Sequence, residues 1–316
     1  MPRSITINGI SIGKGESVQT KLVISKLPSG TVIEIPVYVN RAEQDGPVLL
    51  LMAGMHGDEV NGTETIRRML RRKMLNPLRG TIIAIPILNI YGFLNFSREV
   101  PDGKDVNRSF PGNQQGSLAS RVAHRFMKDI MPYVDYGIDF HTGGASRTNY
   151  PQVRCLLEHP KNTELAHAFG APFILNAPHR PGSLRKEAFR QGKFILVYES
   201  GESMRFDEVG IKTAIEGTSR ILHHLGMAET SVPPLSPSVV CQKSTWVRAK
   251  NAGLFRSTIK PGEFIRKNQQ VGTITDPYGE MEVKLKSPVN GYVIGLNHMP
   301  VVNQGDALLH IGISGE

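Results

Sequence analysis

The chain has 316 residues, 40% of them apolar and 21% charged, with a formal net charge of +9. Those proportions exclude a disordered tail, a collagen-like repeat and a disulfide scaffold, and they supply a sizeable core for one large domain or for a large and a small one. No apolar run approaches the roughly 18 to 20 residues that span a bilayer, and the first residues lack the apolar segment of a secretory signal, so a soluble cytoplasmic protein with no membrane partner is expected.

In chain order, residues 19–25 and 31–39 alternate around Pro28-Ser29-Gly30, the signal of a hairpin. Gly46-Pro47 breaks the chain before an apolar run at 48–52, the kind found in a strand buried on both faces. A helical pattern follows over 63–75, a second apolar run over 81–88, and a second helical pattern over 120–131. A short strand over 136–140 runs into His141, and another over 194–198 ends on Glu199. Strands alternating with helices imply an α/β sheet with helices on both faces. Around residues 229–238 three prolines in a stretch without periodicity read as a linker. Beyond it, short alternating runs at 244–249, 263–265, 270–274, 282–286, 292–295 and 307–311, separated by Gly- and Pro-bearing turns, predict a small all-β domain. The division expected is therefore 1–228 and 239–316.

The densest positive cluster, Arg67, Arg68, Arg71, Arg72 and Lys73, lies at helical spacing beside Ile66, Met69, Leu70 and Met74. That is a solvated helix face, and with no interleaved aromatic residues to stack on bases no nucleic-acid partner is expected. Cys155 and Cys241 form no C-x-x-C pair, so neither a redox motif nor a thiolate zinc site is expected.

His56 and Glu59 form an H-x-x-E pair in a glycine-flanked loop at the carboxyl end of a predicted buried strand, where open α/β sheets place ligand sites. Gly54, Gly57 and Gly62 relieve crowding around that loop. Zinc accepts imidazole nitrogen and carboxylate oxygen together, and a catalytic site uses three protein ligands. His141, delivered by another strand into Thr142-Gly143-Gly144, is the candidate third ligand. Asp139 could orient an imidazole through its second nitrogen, or could be a satisfied core or turn aspartate. Glu199, set by a rigid strand beside Gly201, suits a general base for a metal-activated water. Asn107 and Arg108 occupy a polar loop able to grip a carboxylate; local turn bonds by Asp105 and Asn107, with Arg108 solvated, are the alternative. Arg154, Arg180 and Arg185 are candidates for shaping a pocket. His124, His159, His167, His179, His223 and His224 have no motif context.

Gly54-Met55-His56-Gly57-Asp58-Glu59, Asp105-Val106-Asn107-Arg108, Asp139-Phe140-His141 and Tyr198-Glu199-Ser200-Gly201 together resemble the succinylglutamate desuccinylase and aspartoacylase family, within the zinc carboxypeptidase-like superfamily. The likeness spans about residues 47–225. It implies a mixed sheet flanked by helices and one zinc ion per chain held by His56, Glu59 and His141. It further implies that Glu199 activates water and protonates the amine, that Asn107 and Arg108 bind a substrate carboxylate, and that Arg98 stabilises the oxyanion. The separation of His56 and His141 is closer to that of small-substrate deacylases than of true carboxypeptidases. The expected activity is therefore hydrolysis of the amide of an N-acylated amino acid. A metallocarboxypeptidase or amidase on peptides or cell-wall fragments, and a non-catalytic ligand-binding protein using the zinc site, are the alternatives. The C-terminal segment resembles the barrel-sandwich of biotinyl and lipoyl carriers, in Lys260-Pro261-Gly262-Glu263 and Ser287-Pro288-Val289-Asn290-Gly291. Because Tyr278-Gly279-Glu280-Met281 offers no lysine, it is expected to be unmodified and to cover the active-site mouth or a subunit contact. Homo-oligomerisation is left open.

Overall fold

The computed structural model describes residues 5–26 and 29–315. Two short strands, β1 (Ile5–Ile7) and β2 (Ile10–Ile12), form a separate antiparallel hairpin. The next two, β3 (Ser17–Lys26) and β4 (Val32–Arg41), pair antiparallel as their alternation predicts. Pro28, assigned to the turn between them, lies outside the described residues.

Then come β5 (Gln44–Met52), α1 (Asn61–Arg71), β6 (Arg79–Ile85), α2 (Ile90–Asn95), α3 (Leu118–Asp129) and β7 (Tyr136–Gly143). They are followed by β8 (Arg147–Cys155), α4 (Pro160–Phe169), β9 (Phe173–Asn176), α5 (Leu184–Arg190), β10 (Phe194–Glu202) and α6 (Glu208–His224). Residues 225–238 carry no helix or strand, in line with their prolines. Among the described residues the strands that follow are β11 (Val239–Arg248), β12 (Gly253–Ser257), β13 (Phe264–Ile265), β14 (Gln270–Thr275), β15 (Glu282–Lys286), β16 (Gly291–Asn297), β17 (Val301–Val302) and β18 (Ala307–Ser314).

Most strands join one mixed sheet of twelve in the order β13-β16-β18-β11-β9-β8-β10-β7-β5-β6-β4-β3. The central strands have apolar residues on both faces, and the pleat sorts them. Leu50, Met52, Ile83 and Ile85 face a core closed by Val122, Ala123 and Phe126 of α3. Leu49, Leu51, Ile82 and Ala84 face the opposite core, with Ile66 and Met69 of α1, Leu165 and Phe169 of α4, and Ile211 and Ala214 of α6. Burying each of these large side chains contributes about 1.5–3 kcal/mol. Side chains cap the helices at their amino ends: Asn89 for α2, Ser117 for α3, Ser183 for α5 and Asp207 for α6 each accept from a backbone N–H of the first turn.

The helix predicted over 63–75 is α1, which stops at Arg71; Lys73 takes a left-handed φ of 55° and turns the chain out of the helix. Arg67 and Arg71 on it, and Arg72 and Lys73 just past its end, are exposed as expected, but Arg68 bridges Glu64 and Glu208 and so ties α1 to α6.

The C-terminal strands continue the same sheet. β11 runs parallel to β9, and β16 pairs antiparallel with β8. A second sheet, β15-β14-β12-β17, packs against this end through a core that includes Val247, Phe255, Ile274, Leu285, Val293 and Leu309. Cys155 on β8 and Cys241 on β11 are buried free thiols on either side of β9.

Candidate active site

Three adjacent parallel strands, β5, β7 and β10, deliver His56 and Glu59, His141 and Glu199, whereas Arg98, Asn107 and Arg108 come from the segment between α2 and α3. After β5 the chain crosses to α1 through a tight loop held by Gly57 N–H donating to Ser97 O and Glu59 N–H donating to His56 O. A Cβ at Gly57 would run into the Gly92–Phe93 peptide, and one at Gly62 would meet the Phe140 side chain, so both positions demand glycine for close approach. The loop presents His56 and Glu59. His141 is not beyond β7 but within it, since the strand continues to Gly143. Glu199 likewise lies inside β10, where pairing with both neighbours loses register immediately afterwards. Such irregularities re-aim side chains near sites.

His56, Glu59 and His141 bring one ligand atom each within 4.8 Å of one another, all buried. Glu59 Oε1 lies 2.7 Å from His56 Nδ1, and Glu59 Oε2 lies 2.9 Å from His141 Nδ1. The outer imidazole nitrogens meet carboxylates: His141 Nε2 lies 2.9 Å from Asp139 Oδ2, and His56 Nε2 lies 3.3 Å from Asp105 Oδ1. Of the two roles open to Asp139, the contact with His141 is the one observed. Carboxylates at the outer nitrogens fix ring orientation and turn the inner ones to a common point, as in metal-binding histidines.

Carboxylates surround the two imidazoles with negative charge. Burial opposes charging His56 and His141, yet Glu59 with Asp105 at the first, and Asp139 with Glu59 at the second, outweigh it and hold both pKa values above the ordinary imidazole value. Burial opposes ionising Glu59 as well, but the two imidazoles keep its carboxyl well below the usual range. Arg98 Nη1 sits 3.2 Å from His56 Nδ1 and 3.3 Å from Glu59 Oε1, a cationic group standing against the donor cluster. Imidazole and carboxylate donors converging on one point, with oriented outer nitrogens, fit a zinc ion.

A cavity of about 730 Å³ opens over this cluster. Arg98, Asn107, Arg108 and Glu199 all line it. Arg98 is anchored by Asp105 Oδ2 at 2.9 Å. Asn107 Oδ1 accepts from Leu184 N–H at 3.0 Å, which orients its amide. Arg108 is exposed at the cavity rim and donates to the Asn107 carbonyl, while Asp105 Oδ1 accepts from Asn107 N–H, so the local turn bonds are present; desolvation together with the guanidiniums of Arg180 and Arg98 lowers the Arg108 pKa. Glu199 receives a hydrogen bond from Asn149 Nδ2 at 2.7 Å and faces Arg154 Nη1 at 3.0 Å. Arg154, Arg180 and Arg185 reach the cavity together. Arg185 donates to the Ala177 and Pro178 carbonyls, and burial pushes its pKa down to about 10.

Sequence reasoning missed Asp105 as the partner of His56 and Arg98, and Asn149 as the partner of Glu199. It also missed Ser244, Trp246 and His310, through which the C-terminal segment enters the cavity wall. His310 stacks on Trp246 with ring centroids 4.3 Å apart and planes 3° from parallel, and its Nε2 lies 2.9 Å from Ser244 Oγ. Burial and the nearby Arg154 and Arg180 push its pKa down to about 3, so it is a neutral wall. The alternation of β11 and β18 gave these residues away as strand positions, but nothing local marked which face meets the cavity.

Fold and site define the class: an α/β protein whose mixed sheet carries a buried His-Glu-His donor cluster at the carboxyl ends of its parallel strands. The chain belongs to the succinylglutamate desuccinylase/aspartoacylase family, whose catalytic domain matches residues 45–225. It is 26% identical over 294 residues to the N-alpha-acetyl-L-2,4-diaminobutyric acid deacetylase of Halomonas elongata, covering 87% of this chain and 84% of that protein. Among solved structures it is similar to a succinylglutamate desuccinylase/aspartoacylase from Rhodobacter sphaeroides, with a TM-score of 0.84, 26% identity, and 95% and 96% of the two chains covered. The product-bound ectoine utilization protein EutE (DoeB) from Ruegeria pomeroyi superposes with a TM-score of 0.87 over 99% and 100% of the chains. At 22% identity that likeness speaks to the fold. Among the described residues no helix is long and apolar enough to cross a membrane.

Proposed function

We propose that the protein is a zinc-dependent deacylase that hydrolyses the amide bond of an N-acylated amino acid or related small carboxylate. The observation that carries this reading is the convergence of His56, Glu59 and His141, their outer nitrogens oriented by carboxylates, in a cavity that also holds Glu199. Zinc, when bound by those three residues, supplies Lewis acidity that brings the pKa of water toward about 7 and polarises a carbonyl. Glu199 takes the proton from the attacking water and delivers it to the departing amine. Arg98 holds the negative charge that develops on the acyl oxygen. Asn107 and Arg108 grip the substrate carboxylate, and the additional guanidiniums of Arg154, Arg180 and Arg185 favour an anionic ligand.

In the same reading, residues 1–228 form the hydrolase unit, and residues 239–316 form an unmodified barrel-sandwich that limits substrate size. The contribution of Ser244, Trp246 and His310 to the cavity wall supports the second role. A wall on that side favours small substrates over long peptides.

The test is primary-amine release from N-acetyl, N-succinyl and N-formyl amino acids and from short peptides, with zinc-loaded and chelated protein. The expected outcome is chelator-sensitive release from one acyl-amino acid series with peptides untouched. Cleavage of peptides alone would replace the deacylase reading with a peptidase, and zinc binding without any release would replace it with a ligand-binding protein.

A further inference from the structure

We propose that Asn149 is a positioning residue for Glu199, and that the C-terminal strand β16 bears on the chemical step through it. The inference rests on Glu199 being the proton-transfer group. β10 pairs Glu199 in register with His141 of β7 and Gln152 of β8, and both registers shift directly after it, between Glu199 and Glu202 and between Glu199 and Gly201. Pairing fixes the backbone of Glu199 but not its side chain, whose rotatable bonds a base must have frozen, since a misplacement of about 1 Å can cost of the order of a hundredfold in rate.

Two side chains of β8 supply that restraint, one on each carboxylate oxygen. Asn149 Nδ2 donates to Oε2 at 2.7 Å, and Arg154 Nη1 lies 3.0 Å from Oε1. They differ in what else they meet. Arg154 is partly exposed in the cavity and is available to an anionic substrate, so its interaction with Glu199 is shared. Asn149 is 7% exposed and is fixed from behind by the C-terminal segment. In the antiparallel pairing of β16 with β8, Gly295 stands opposite Asn149. A Cβ at Gly295 would come within 3.0 Å of Asn149 Oδ1 and 3.2 Å of His310 Cβ. Glycine at 295 thus leaves room beside the Asn149 amide, whose nitrogen donates to Glu199. Removing the donor frees the carboxylate to leave its productive orientation without touching the metal ligands or the residues assigned to the substrate carboxylate. The C-terminal segment thus sets rate as well as access.

The experiment uses the full-length, zinc-loaded protein and the acyl-amino acid it hydrolyses best. Asn149→Leu keeps roughly the volume and removes the N–H donor without a second charge beside Glu199; Asn149→Ala removes both donor and volume. For each, kcat is expected to fall about tenfold or more, with KM within about twofold of wild type and zinc content and Tm unchanged. Gly295→Ala, which crowds the amide from the far side, is expected to lower kcat several-fold in the same pattern. In a Glu199→Gln background, Asn149→Ala is expected to add no further loss, because the two residues act as one unit. Unchanged kcat in both Asn149 variants would overturn the proposal, as would a loss that tracks lowered Tm or lost zinc, or one that adds fully to Glu199→Gln. Near-normal turnover of Glu199→Gln itself would instead overturn the role of Glu199.

Discussion

At the scale of single residues, the site is organised by carboxylates that touch imidazoles. Asp139 is 2% exposed and meets the outer nitrogen of His141 at 2.9 Å. An acceptor there fixes the ring and raises its basicity as a ligand. Asp139→Asn is therefore expected to weaken zinc binding about 10- to 100-fold, read by titration against a competing chelator, while the fold persists. Unchanged affinity would show that the carboxylate does not orient the ring. The pair His56 and Glu59 was legible in the sequence because a local turn brings them together, and His141 and Glu199 because each ends an apolar run. Asp105 reaches His56 across 49 positions, and Asn149 reaches Glu199 across 50. Contacts of that kind leave no local spacing to read, and Asp105 and Asn149 look like ordinary turn or strand residues in isolation.

At the scale of elements, α1 is braced along its own length by one buried carboxylate, which also holds the Arg68 that reaches Glu208 of α6. Glu64 accepts from Arg67 at 2.6 and 2.7 Å and from Arg68 at 2.7 Å, and the hydrogen bonds from Arg67 are the main cause of a pKa lowered from 4.5 to about 2. A carboxyl depressed in the folded state stabilises it fully above its unfolded pKa and loses that contribution as pH falls toward the folded value. Between about pH 4.5 and 2, Glu64→Gln is expected to flatten the decline of stability with falling pH, measured as urea midpoints across the upper part of that window. Identical slopes for variant and wild type would refute the assignment. The strands β3 to β7 were readable from alternation and apolar runs. The helix α6 was not, because Gly210, Gly217 and its β-branched residues lower intrinsic helix propensity. Packing compensates: Gly217 lies against the Phe169 ring, which a Cβ would strike.

At the scale of the whole molecule, the all-β character of the C-terminal part was legible, whereas its union with the larger sheet was not. Pairings between β11 and β9 and between β16 and β8 join segments on opposite sides of the proline-rich stretch, and strand alternation carries no address for the partner strand. A chain ending at residue 238 would bare the edges of β8 and β9 together with the apolar patch around Phe173 and Leu175. Such a fragment is expected to aggregate or remain unfolded, checked by solubility, circular dichroism and amine release. A monomeric folded fragment with native turnover would refute this.

The weaving of the cavity wall into the catalytic sheet bears on how such a protein diversifies. Where a specificity element hangs on a linker, a lineage acquires a new preference by exchanging the whole module. Here β11, which carries Ser244 and Trp246, pairs with β9, and β16, the neighbour of the His310 strand β18, pairs with β8, which carries Asn149, so an exchanged module would have to reproduce the register of two foreign strands. Change in preference is therefore channelled into point substitutions at cavity-facing positions of β11 and β18, with the register conserved beneath them.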